Sequence, residues 1–197
     1  MSRLHRPVLA AVAALAALAA AGCTAGPIGA STPLSSGQSF VGSSYESTVF
    51  RPGSRPEAPG VSGTTVTGSR LSLASYRGDV VVLNFWGSWC APCRDEAPAL
   101  GTLSGKLAPE GVRFVGVDIR DEPDSALAFM STFRISYPSI SDPGDLIALQ
   151  FRATDPPSAI PSTIIIDRSG RIAARIIGPV SYRTLRTLLT PIVAEHA

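Results

Sequence analysis

The chain of 197 residues is short of three residue types that carry much of protein chemistry: it has three cysteines, two histidines, and one lysine, Lys106, among 17 basic residues. The histidines, His5 and His196, stand at the two extremes of the sequence. Excess charge of one sign is missing too. The formal charge is +2, and with Arg3 and Arg6 set aside as part of a leader, 15 basic residues balance 15 acidic ones. A balanced chain without a basic stripe gives no footing to nucleic-acid binding. The lysine deficit, filled by arginine, reads as nucleotide bias in a GC-rich genome and carries no chemistry. What is present is enough apolar material, 45% of residues, to fill one core, and a length that holds one ordinary domain with appendages.

Only one long apolar run lies near a terminus, VLAAVAALAALAAAG, and it follows the short positive stretch MSRLHRP. It falls short of the ~20 residues that cross a bilayer and ends in small residues, so residues 1–22 read as a cleaved signal peptide and the chain as exported. The following Ala20-Ala21-Gly22-Cys23 is similar to a bacterial lipobox, in which the cysteine becomes the lipid-bearing first residue; Ala20 stands where leucine is usual. Plain secretory cleavage is the alternative, and it leaves Cys23 as an odd exposed thiol. Residues 23–62, rich in Gly, Ser, Thr and Pro, read as a flexible tether spanning roughly 35 Å as a random coil. Within it FVGSSYESTVF, residues 40–50, has the composition for a short hairpin packed on the domain, although propensity alone decides little.

Residues 63–197 alternate strand and helix patterns. VVVLNFW, Val80–Trp86, is a continuous apolar run suited to a strand buried on both faces, and residues 112–117 form a second. Between them, residues 91–107 carry helical spacing at Ala97, Leu100, Leu103 and Leu107, with Pro98 expected to bend the helix. Residues 124–133 read as a helix capped by Asp124 with an apolar stripe of Leu127, Met130 and Phe133. Asp142-Pro143 is expected to open a short helix. Residues 162–167 and 171–178 pair as a hairpin through Arg168-Ser169-Gly170, and residues 181–195 close the chain with an amphipathic helix. The alternation predicts an α/β fold, a mixed sheet covered by helices.

Two of the three cysteines sit together in NFWGSWCAPCRDE. Cys90 at the end of a buried strand and Cys93 in the first turn of the next helix place a thiolate where unpaired N–H groups and positive potential stabilise it. Cys90 is the candidate nucleophile and Cys93 the resolving thiol of a dithiol–disulfide cycle. A structural disulfide is the bland alternative, disfavoured because closing so short a loop constrains little of the unfolded chain.

The combination of VVVLNFWGSWCAPCRDEAP with IPSTIIIDRSGRI resembles the thioredoxin fold of the membrane-anchored TlpA/ResA group, from about Leu71 to the C-terminal helix, and with the lipobox it looks most like actinobacterial CcsX-type proteins of cytochrome c maturation. The stretch from GVDIRDEP to YPSISDP matches the group's central insertion. The resemblance implies further roles. Pro161 becomes the cis-proline facing the cysteines, although from the residues alone a trans turn is equally available; Ile160 would then offer backbone hydrogen bonds to an extended substrate. Asn84 stands where thioredoxins proper carry a buried acid, and Glu96, three residues after Cys93 and on the same helix face, is the candidate substitute for moving protons, against the plainer reading of a solvated carboxylate. Trp89 is a candidate partner contact. Arg94, Asp95, Asp118 and Tyr137 are given no role in the chemistry.

The expected activity is reduction of the CxxCH disulfide of apocytochrome c or other exported proteins, at the outer face of the membrane, with a CcdA-type membrane electron donor and a monomeric enzyme that needs no cofactor or metal. The rival is an oxidase running the same residues backwards. A copper chaperone of this fold would need a histidine inside the domain, and peroxide reduction a threonine and an arginine around a single reactive cysteine.

Overall fold

The structure, a computed structural model, describes residues 37–41, 45–152 and 157–195. The expected leader, Cys23 and most of the tether lie outside the described residues. Among those described, no helix is long and apolar enough to cross a membrane.

The elements run β1 (Gly37–Val41), β2 (Glu46–Phe50), β3 (Ser62–Thr64), β4 (Arg70–Ser72), β5 (Val80–Trp86), α1 (Ala91–Leu107), β6 (Val112–Ile119), α2 (Pro123–Thr132), β7 (Ser139–Asp142), α3 (Leu146–Gln150), β8 (Ser162–Ile166), β9 (Ile172–Ile177) and α4 (Tyr182–Ala194). Seven strands form one mixed sheet in the order β1-β2-β9-β8-β5-β6-β7, and β3 and β4 make a separate hairpin. β5 is central: it pairs parallel with β6 and antiparallel with β8. All seven of its residues are buried. Its alternating side chains feed two cores, Val80, Val82 and Trp86 packing with Leu100, Leu103, Phe129 and Leu185, and Val81, Leu83 and Phe85 with Val115, Ile140, Phe151 and Ile164. Each such side chain contributes roughly 1.5–3 kcal/mol on burial, so this strand anchors everything attached to its ends.

The expected hairpin near residues 40–50 forms as β1 and β2, and β2 continues the sheet by pairing with β9. The folded unit therefore begins before Gly63: Phe50, Arg55 and Val61, expected in the tether, are buried. Three helix details differ from the sequence reading. Asp124 does not cap α2; Glu122 holds the cap position without a side-chain bond and Pro123 opens the helix. α2 buries Ala126 and Phe129, while Leu127 is 42% exposed, because Phe129 stacks on Trp86 with ring centroids 4.4 Å apart and so sets the helix face. Asp142 ends β7 rather than opening a helix, but its carboxylate accepts the Leu146 and Ile147 N–H groups at 2.9 and 2.8 Å and so caps α3 from a distance. Pro98 sits inside α1 without ending it.

Candidate active site

β5 delivers the chain to the redox motif at its C-terminal end. Gly87 leaves space there, since an added Cβ would lie 2.8 Å from the Trp89 indole nitrogen. The turn closes when the Cys90 N–H donates to the Gly87 carbonyl at 3.1 Å. Cys90 then occupies the N-cap of α1 in extended backbone, and Pro92 falls in the first turn, where its missing N–H costs nothing. Cys90 and Cys93 are joined as a disulfide with Cα atoms 5.3 Å apart. The Cys93 N–H donates to Cys90 Sγ at 3.2 Å, so the sulfur already rests where the helix N-terminus favours negative charge.

Behind the cysteines lies a buried acid. Glu96 is 3% exposed, which rules out the solvated carboxylate. Its Oε1 accepts from Asn84 Nδ2 at 2.8 Å and its Oε2 from the Val180 N–H at 2.8 Å. Asn84 also donates to Thr163 Oγ1 at 3.2 Å, locking the amide between β5 and β8. Burial pushes the Glu96 carboxyl up to about 7, against the smaller downward pull of the Val180 and Asn84 hydrogen bonds. A carboxyl poised there takes or gives a proton at neutral pH. Tyr137 is held above its ordinary value by burial and by the Glu96 charge, so it stays a neutral phenol in the same core.

The Ile160–Pro161 peptide is cis, and Pro161 is buried immediately before β8. Because β8 runs antiparallel to β5 with Ser162 opposite Phe85, this peptide stands at the same end of the sheet as Cys90. Trp86 is buried and Trp89 is 52% exposed beside the nucleophile. A groove of about 400 Å³, lined in part by Ser88, Arg94, Phe129 and Phe133, opens beside this turn. The structure thus brings Trp89, Cys90, Cys93, Glu96, Ile160 and Pro161 to one end of the sheet, while Cys23 lies outside the described residues.

Sequence reasoning missed two things. It gave Arg94 no role, yet its guanidinium donates twice to the Ser88 carbonyl, at 3.0 and 2.7 Å. It also passed over Val180 and Asp121, whose contacts come from 84 and 33 residues away and leave no local signal.

The sequence pattern of the AhpC/TSA family matches residues 55–175. The thiol:disulfide interchange protein HelX of Rhodobacter capsulatus is 35% identical over 121 residues, 61% of this chain and 64% of HelX, so the match spans a little under two thirds of that relative. The thiol-disulfide oxidoreductase ResA of Bacillus anthracis is 32% identical over 137 residues, 69% of this chain and 76% of that protein. Among solved structures, a secreted thiol-disulfide isomerase from Corynebacterium glutamicum superposes with a TM-score of 0.71 at 32% identity, covering 76% of this chain and 92% of that one. A DsbF homologue from Corynebacterium diphtheriae gives 0.69 at 34% identity, covering 74% and 92%.

Proposed function

Because the chain belongs to the AhpC/TSA family, as a TlpA/ResA-type member with a thioredoxin fold, we propose that it is a thiol-disulfide oxidoreductase that reduces disulfides of exported proteins, with the CxxCH disulfide of apocytochrome c as substrate. The observation that carries this reading is the Cys90–Cys93 pair at the N-terminus of α1 with the buried Glu96 behind it.

The dithiol form begins the cycle. The Cys90 thiolate, stabilised by the Cys93 N–H and the start of α1, attacks one sulfur of the substrate disulfide; that bond breaks, a mixed disulfide forms, and the second substrate sulfur leaves as a thiolate. Glu96 in its ionised form then takes the Cys93 proton, directly or through one water, and Cys93 attacks Cys90 Sγ. The first substrate sulfur leaves as a thiolate and is protonated, so two electrons have passed to the substrate and the enzyme holds the Cys90–Cys93 disulfide. Ile160, before the cis-proline, supplies backbone hydrogen bonds to the substrate segment, and Trp89 its exposed ring face. A membrane dithiol donor of the CcdA type restores the reduced pair. The leader, the lipobox at Cys23 and the tether support a lipid-anchored protein on the outer face of the membrane, which the mass of Cys23-containing peptides from membrane fractions tests.

The function is tested by mixing the reduced protein with an oxidised CxxCH peptide. The wild type reduces the peptide, Cys93→Ser accumulates a mixed disulfide through Cys90, and Cys90→Ser is inert. Peptide reduction no faster with the wild type than with Cys90→Ser would contradict the proposal.

A further inference from the structure

All three polar groups of Ser88, two residues before Cys90, are taken. Its N–H donates to Asp121 Oδ2 at 2.6 Å and its hydroxyl to Asp121 Oδ1 at 2.7 Å, while its carbonyl accepts from Arg94. Asp121 comes from the connection between β6 and α2, and Arg94 from the first turn of α1, so the turn bearing Trp89 is held from both sides. Beneath Asp121 lies Asp118, 1% exposed near the end of β6, with its carboxyl against that of Asp121. In the sheet Asp118 is the register partner of Trp86, the last residue of β5 before the turn. Its Oδ1 has no hydrogen-bond partner among the described residues.

We propose that Asp121, backed by Asp118, is the positioning residue of the redox turn, holding Ser88 so that Trp89 and Cys90 Sγ are presented at the start of α1 in the geometry that attacks a disulfide. The inference rests on the thiol-disulfide reading and adds to it the group that fixes the nucleophile's approach. A short, charge-assisted pair of bonds to one serine suits this task better than packing, because it fixes both position and rotation. Burial first, and the hydrogen bond and charge of Asp121 second, push the Asp118 carboxyl up to about 8. At neutral pH Asp118 therefore keeps its proton and donates it to Asp121, and above that range the two carboxylates repel and the clamp loosens. The other charged groups on the surrounding elements are Arg94, Asp95 and the buried Glu96 on α1, Asp142 at the end of β7 opposite Ile119, Arg120 paired with Asp145 ahead of α3, and Glu122 and Asp124 at the start of α2. None of these contributes to the Asp118 shift, which comes from burial and Asp121.

The test is the rate of Cys90 alkylation by iodoacetamide on the reduced chain, resolved by peptide mass and followed against pH, with disulfide exchange measured in parallel. Asp121→Ala, which removes both charge-assisted bonds to Ser88, is expected to lower the limiting rate about tenfold. Asp121→Asn, which keeps an acceptor for the Ser88 N–H, recovers most of it. Asp118→Asn keeps the rate at pH 7 and removes an inflection near pH 8 that the wild type shows. Rates within about twofold of wild type for Asp121→Ala with an unchanged profile, or a loss that Asp121→Asn does not recover, overturn the proposal. Alkylation involves no protein substrate, so a wild type that fails to exchange disulfides defeats the functional reading while the variants still decide the clamp.

Discussion

Buried charge is handled in opposite ways at the two ends of β5. At the N-terminal end, Arg55 from the segment before β3 has a side chain only 4% exposed and bonds Asp167 at 3.0 Å and Glu195 Oε1 at 2.8 Å. Burial alone would raise the Asp167 carboxyl, but hydrogen bonds from Ser169, the Arg171 N–H and Arg55 outweigh it and hold the group below its ordinary value. At the C-terminal end, Glu96 and Asp118 are buried without a cation, and both are pushed up, to about 7 and about 8. The same residue types thus serve two purposes. A buried carboxylate surrounded by hydrogen-bond donors and a cation stays ionised and ties the N-terminal segment, the β8–β9 turn and the end of α4 together; one whose burial outweighs its donors, with no cation beside it, keeps a proton it can exchange.

The comparison breaks most visibly if the cation is removed. Arg55→Met leaves Asp167 buried without its partner and is expected to cost about 3 kcal/mol, the low end for breaking a buried pair because Glu195 is a third exposed. Urea unfolding of the oxidised protein measures the loss, and dithiol exchange in the folded variant stays at the wild-type rate; a cost under about 1 kcal/mol would reduce the clasp to a surface pair.

Next in size is Glu96→Gln, which keeps the shape and removes the proton exchange. The release of substrate from a preformed Cys90 mixed disulfide is expected to slow about 100-fold, measured by rapid mixing and acid quench. The same variant tests the sign of the pH dependence. With its folded value raised to about 7, Glu96 binds its proton more tightly in the folded state, so its contribution to stability is fully present below pH 4.5 and is lost as pH rises through about 7. Asp118 acts in the same direction up to about pH 8, whereas Asp167, held low, loses its contribution as pH falls below the ordinary aspartate range. Glu96→Gln flattens the fall of stability between pH 4.5 and 7, and an unchanged slope would mean that Glu96 is not the group responsible.

A smaller change sharpens the contrast from the other side. Asn84→Asp sets a second carboxyl against Glu96 and is expected to raise the pH of half-maximal resolution by about one unit, through like-charge repulsion. A downward shift in that profile would show that the hydrogen bond from Asn84 is not what tempers the acid.

How far the sequence reached follows from the range of each interaction. The buried strand Val80–Trp86, the helix over Ala91–Leu107, the hairpin of β8 and β9 and the closing amphipathic helix depend on neighbouring residues, and their patterns were legible. The cis peptide before Pro161 was legible only through resemblance, since an isolated X–Pro bond favours trans. Glu96 was named through the resemblance, the residues alone favouring a solvated carboxylate, and its burial against Asn84 from β5 and Val180 from the β9–α4 connection is announced by no local pattern. The same holds for Asp121 on Ser88 and for Arg55 between Asp167 and Glu195. The face of α2 was misjudged because Leu127 and Phe129 compete on hydrophobicity, and only the stack on Trp86 decides between them.

The central claim is that the Cys90/Cys93 pair works as a reductant, and its reduction potential tests that most directly. Equilibrated in glutathione or dithiothreitol buffers, the pair is expected to titrate well below ~ −220 mV, toward the thioredoxin range near ~ −270 mV. A value near ~ −120 mV, where strong oxidants lie, would contradict the account and make the same residues those of an enzyme that introduces disulfides into exported proteins.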